Sequence, residues 1–166
     1  MSVLTPSGVF VSYRREDSGP YAWLLKEHLT CRFPDTPVFM DLASIEAGVD
    51  FAEAIEAALG SCVVLVALIG RGWLTATDDE GHCRLDDPDD CVRFEIRTAM
   101  ERCVRVIPVL VDGAKAPRQQ QLPAHLGQLA RLNALEMSYG RFEYDESRLM
   151  AVIGRVLGAA AGGLSA

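Results

Sequence analysis

The chain has 166 residues, 49% hydrophobic and 23% charged, which suits one globular domain with a core of its own. That composition excludes disorder, collagen and coiled coil, and no stretch reaches the ~18 continuous apolar residues of a membrane span. A net charge of −7 without a basic stripe argues against duplex nucleic acid and anionic membrane surfaces as partners.

The N-terminal MSVLTPSGVFVSYRRED has no basic lead-in and no small-residue cleavage site, so no signal peptide is read there. Five cysteines, odd in number and without a CxxC pair, predict reduced thiols in a cytoplasmic protein. His82, Cys83 and Cys91 lack a fourth ligand at a recognisable spacing, so no metal site is expected.

In chain order, Val9-Phe10-Val11 predicts a first strand closed by the polar run Ser12–Asp17. Tyr21, Leu24, Leu25, His28, Leu29 and Phe33 then fall at helical spacing, with His28 read as a partly buried structural residue. Pro37–Asp41 predicts a second strand, leading into a loop over 42–50. Asp50 followed by Glu53 marks a helix start, with Phe51, Ile55, Ala58, Leu59 and Cys62 as its stripe. The unbroken apolar run Val63–Ile69 predicts a central parallel strand buried on both faces.

Residues 70–90 read as a long polar, Asp-rich stretch, whose acids just before the next helix are explained by capping. Val92, Ile96, Ala99, Met100 and Cys103 mark the third helix. Val106–Val111 predicts a strand that Pro108 pushes towards an edge or a local irregularity. Leu132–Met137 supplies a last strand, and Leu149, Val152, Ile153, Val156 and Leu157 a last helix. The domain is expected over 1–158, with 159–166 a small-residue tail or the start of a linker.

Five strands alternating with helices predict an α/β fold of flavodoxin-like type, a five-stranded parallel sheet with helices on both faces. Ligands bind such sheets at the carboxyl ends of the strands, near the point where strand order reverses. The loops over 12–20, 42–50 and 70–90 are therefore the ones to inspect.

The standard phosphate cradles are missing: neither GxxxxGK[ST] nor GxGxxG follows the first strand. Ser12-Tyr13-Arg14-Arg15 stands where a phospho-receiver needs acids, and no GxSxG nucleophile elbow occurs. What remains is a basic pair at one strand end and a carboxylate across the cleft. Arg14-Arg15 lies near a helix N-terminus, where anions are favoured; the bland alternative is a solvated loop pair. Glu95 falls one position off the third helix's apolar stripe, with Cys91, Val92, Thr98 and Ala99 as its helical neighbours. No cation stands at salt-bridge spacing on its own helix, although a surface glutamate remains the plain alternative.

With these blocks in view, the chain resembles a Toll/interleukin-1 receptor (TIR) domain over about residues 8–158. The matching pieces are GVFVSYRRED, VFMDLASIEAGVDF, VVLVALIGRGWL, DDCVRFEIRTAM and VRVIPVLVDG. The resemblance points to the bacterial TIR domains and the animal neuronal TIR enzyme that cleave NAD. It implies an NAD+ nucleosidase that releases nicotinamide and ADP-ribose or a cyclic form, in immune or anti-phage defence. NAD+ is then a substrate, no resident cofactor is implied, and the partners are other TIR domains in a self-assembled form.

Carried over residue by residue, the resemblance places the catalytic glutamate on Glu95. Substrate contacts fall on Tyr13, Arg14, Arg15, Asp41, Glu46, Trp73 and Cys91, and self-assembly on Ser44, Ile45 and Gly48 of the loop. Trp73 offers a ring for stacking, or else caps the core. Cys91 is a departure, since many active relatives carry Trp four residues before the glutamate. A non-catalytic TIR interaction module is the alternative that this departure favours.

Overall fold

The computed structural model of the chain describes residues 5–40 and 46–163. Asp41, Ser44 and Ile45 lie outside the described residues. Five parallel strands, β1 (Gly8–Ser12), β2 (Val38–Phe39), β3 (Cys62–Ile69), β4 (Arg105–Val111) and β5 (Leu135–Met137), form one sheet in the order β2-β1-β3-β4-β5. The order reverses between β1 and β3, which puts the switch point at the ends Ser12 and Ile69. Parallel register pairs Phe10 with Leu65 and Ser12 with Ala67, so those two ends open side by side.

Helices α1 (Arg15–Arg32), α2 (Phe51–Gly60), α3 (Cys91–Glu101) and α4 (Phe142–Gly162) cover both faces. The period-two alternation of the strands divides the core accordingly. Phe10, Leu65, Ala67 and Ile69 face Ile55, Leu59, Val92 and Ile96 of α2 and α3. Val9, Val11, Val64, Val66 and Leu68 face Leu25 and Leu29 of α1 and Leu149 and Ile153 of α4. β3 is buried along nearly its whole length, as its unbroken apolar run predicts.

The structure adds to the sequence reading in four places. β4 is flanked by strands on both sides; Pro108 pairs with Ala67, and the β5 ladder begins only at Val109, so the missing donor is accommodated without an edge position. α1 begins at Arg15, and Ser18 breaks it with φ −141° and ψ 21°, leaving Pro20 in the first turn of the longer piece. α4 runs to Gly162, through the first residues of the segment read as a tail. The stretch 70–90 holds an antiparallel bridge between Thr77 and Cys83 and a short 3-10 turn, Arg84–Asp86, anchored by the buried Leu85. Among the described residues, no helix is long and apolar enough to cross a membrane.

Candidate functional site

α3 is started by Asp90, whose carboxylate accepts the Arg93 amide at 3.0 Å. This confirms the capping explanation of the acidic run. From that cap the helix carries Val92, Glu95, Ile96 and Ala99 into the core, and Glu95 is only 6% exposed. The sequence placed Glu95 one position off the stripe, at the surface or the cleft; the structure places it within the stripe. Val92 and Glu95 are three residues apart and share a face, and α2 packed alongside α3 widens the buried arc to include both.

Arg14 follows β1 closely, and its guanidinium is turned inward. Nη1 and Nη2 donate to the two carboxylate oxygens of Asp90 at 3.0 and 2.9 Å, with the two side chains 2% and 8% exposed. The anion that Arg14 meets in this structure is thus a carboxylate of the protein itself. Arg15, the first residue of α1, is exposed.

Cys91 opens α3 at the surface. Its thiol is pushed up from the ordinary value by local burial first, then by the Glu95 and Asp90 carboxylates, with Arg14 pulling the other way. Arg14, Asp90, Cys91 and Glu95 therefore occupy one small volume beside the switch point. This foursome holds one cation and two carboxylates.

A second tie closes the switch point from the other side. Asp17 accepts the backbone amides of Gly70 and Gly72, each at 2.8 Å, and so fastens the loop after β3 to the start of α1. Sequence reading missed Asp17, because its partners are backbone groups more than fifty residues away. It also missed the edge-to-face ring pair of Phe51 and Phe94, centroids 6.1 Å apart, which joins the start of α2 to α3.

The other predicted site residues are dispersed. Trp73 is 1% exposed within the core facing α2 and α3, so it caps the core and offers no ring to a ligand. That corrects its assignment as a stacking surface. Tyr13 is half-buried and packs on the opposite core, towards α1 and α4. Glu46 and Gly48 are exposed in a turn closed by the Val49 amide on the Glu46 carbonyl, where Gly48 takes the φ of +90° that glycine tolerates. His28 is half-buried and bound to Glu146, as a structural residue should be.

A wide groove lies elsewhere. It holds about 1020 Å³ beyond β4 and β5, bordered by Tyr21, Leu24, Asp112, Tyr139, Arg141 and Tyr144. Asp112, Arg141 and Glu143 lie on its rim, and Arg141 pairs with Asp145 at 3.7 Å, away from the switch point. The Tyr21 hydroxyl donates to Asp112 at 2.5 Å, and burial followed by that carboxylate pushes the phenol up to about 12.

Comparison with known proteins agrees with this architecture. The chain is 31% identical over 129 residues to the NAD(+) hydrolase sarm1 of Drosophila melanogaster, covering 76% of the chain but 9% of that protein. It is 27% identical over 145 residues to the NAD(+) hydrolase SARM1 of Danio rerio, covering 87% of the chain and 19% of that protein. The chain thus spans a small part of either relative. Among solved structures, the TIR domains of the activated Roq1 resistosome recognizing the effector XopQ superpose with a TM-score of 0.59. Identity there is 16%, with 92% of this chain and 98% of that one covered, a likeness of fold. The family model for the TIR domain matches residues 9–150, and the chain belongs to the TIR domain family.

Proposed function

We propose that this TIR domain is an NAD+ nucleosidase, with Glu95 as the carboxylate that faces the reacting ribose. The observation that supports it most is the burial of Glu95 beside the switch point, where α/β sheets take their ligands. The curated relatives are named NAD(+) hydrolases, which agrees with that reading.

The chemistry suits a single carboxylate. When the glycosidic C–N bond breaks, its electron pair goes to the pyridinium nitrogen, and nicotinamide leaves neutral without needing a general acid. The ribose carbon becomes oxocarbenium-like, and a nearby carboxylate stabilises it until water adds and gives up a proton. Asp90 is matched by Arg14, so the charge of Glu95 beside them is what suits the cationic nicotinamide end of NAD+. The pyrophosphate then lies towards Arg15 and the N-terminus of α1. NAD+ is consumed as substrate, and no resident cofactor takes part. Asp41 and Glu46 are assigned to substrate contact, and Ser44, Ile45 and Gly48 to contact with a second TIR domain.

Glu95→Gln is the test. Gln keeps the shape and removes a buried charge, so the fold should hold, whereas nicotinamide release should fall about a hundredfold, or ~3 kcal/mol. Equal turnover by the two proteins would refute the assignment. A second reading, a TIR scaffold without chemistry, is favoured by one observation: Cys91 stands exposed where many active relatives have Trp. A parent protein that binds other TIR domains and releases no nicotinamide would establish it.

A further inference from the structure

We infer that the Arg14–Asp90 ion pair is a clamp that positions the helix carrying Glu95, and that neither residue is a ligand for substrate. The inference rests on the nucleosidase reading and deepens it. Both side chains are nearly excluded from solvent, and the two parallel bonds fix the guanidinium plane on the carboxylate. The partners are 76 residues apart, so the pair joins the end of β1 to the first turn of α3. Asp90 Oδ2 also accepts the Arg93 amide, which makes ion pair and helix cap a single unit.

Glu95 lies on the same helix, about one and a half turns beyond that cap and one turn past Cys91. A shift of the cap therefore carries Glu95 with it. Drawing the guanidinium away to bind a phosphate would leave the Asp90 carboxylate buried and unmatched, a costly state. Phosphate contact suits the exposed Arg15 better, one residue further on.

Three variants decide the matter: Asp90→Asn, Arg14→Gln and the double variant. They are followed by kcat and KM for NAD+ and by hydrogen exchange of the amides at 93–95. Asn still caps a helix but leaves Arg14 a buried, unmatched cation. Asp90→Asn should therefore lose protection in the first turn of α3, and kcat should fall on the order of tenfold to a hundredfold, as for a misplaced reacting group. KM should not improve. In the double variant both buried charges are gone and Gln can bond to Asn. Protection should return, and kcat should recover most of the loss with KM close to that of the parent.

A lower KM in Asp90→Asn would show a freed Arg14 binding substrate, and would overturn the inference. So would a restored α3 with KM raised about tenfold, the mark of a lost ground-state contact. A double variant no better than Asp90→Asn in exchange and kcat would show the residues acting separately, and would overturn it equally. Hydrogen exchange reads the clamp even in a chain that cleaves no NAD+, which separates its failure from failure of the nucleosidase reading.

Discussion

Gly70→Ala should destabilise the protein through a residue far away in sequence. The loop after β3 approaches Asp17 so closely that a Cβ at position 70 would stand 2.6 Å from Cγ and Oδ2, and nearer still to Oδ1. A carboxylate at the end of a free side chain would swing aside at little cost. This one is held by the Gly70 and Gly72 amides at 2.8 Å each, so retreat breaks or stretches both bonds. Hydrogen bonds to charged groups are each worth about 1.5–3 kcal/mol, and Asp17 is only half-buried, so the combined loss should be about 2–4 kcal/mol. For a chain of this length that lowers the melting temperature by roughly 5–15 °C. Thermal unfolding measures it, and a second background locates the cause. In Asp17→Ala there is no carboxylate to displace, so adding Gly70→Ala should cost little more. A Gly70→Ala protein within about 0.5 kcal/mol of the parent would refute the reasoning, as would full additivity of the two substitutions.

Trp73→Ala should lower stability by about 3–5 kcal/mol in denaturant unfolding, because the ring fills the core; an unchanged midpoint would contradict that. Alkylation of Cys91 near neutral pH should be slow and should quicken in Glu95→Gln, since losing that carboxylate lets the thiolate form at lower pH; labelling rates against pH measure it. The raised pKa of Tyr21 means that folding favours the neutral phenol, so its contribution is complete below pH 10 and is lost as pH rises towards 12. Alkaline unfolding should therefore be less steep in Tyr21→Phe, and identical profiles would show that Tyr21 contributes nothing to it.

What the sequence made legible was whatever depends on near neighbours. β1, β3 and β4 follow from apolar runs, and the caps at Asp50 and Asp90 from an acid standing just before a helical stripe. Two strands were weaker signals because β2 pairs over only two residues and β5 over three. α4 extends beyond its readable stripe at both ends, through the polar Glu143–Arg148 and the small residues up to Gly162. Neither end carries a pattern, and Arg141 makes no side-chain cap.

The site was legible as a set of residue types, and its wiring was not. Arg14 looked like an anion receptor because a local reading sees a guanidinium near a helix start and cannot see Asp90. Asp90 in turn looked like a cap and nothing more. Trp73 is aromatic in a loop, which suits stacking and core filling equally until burial decides between them.

The burial that makes Glu95 a strong electrostatic group also limits access to it. At 6% exposure the carboxylate is held in a low-dielectric setting where its charge acts at short range with little screening. The same packing leaves little of it for a ribose to reach, so under the proposed function the resting domain is a closed form. If an open form lies about 2.8 kcal/mol higher, apparent affinity for NAD+ is lowered about a hundredfold. Contacts that favour the open form restore it by the same factor, and the exposed turn Glu46–Val49 leads directly into α2, whose Phe51 meets Phe94 beside Glu95. A second TIR domain seated on that turn would act on Phe94, the neighbour of the proposed catalytic Glu95, through one ring contact. Under the proposed function, dependence of activity on assembly would be carried by the packing of this single helix, with the proposed clamp at Arg14 and Asp90 at its other end.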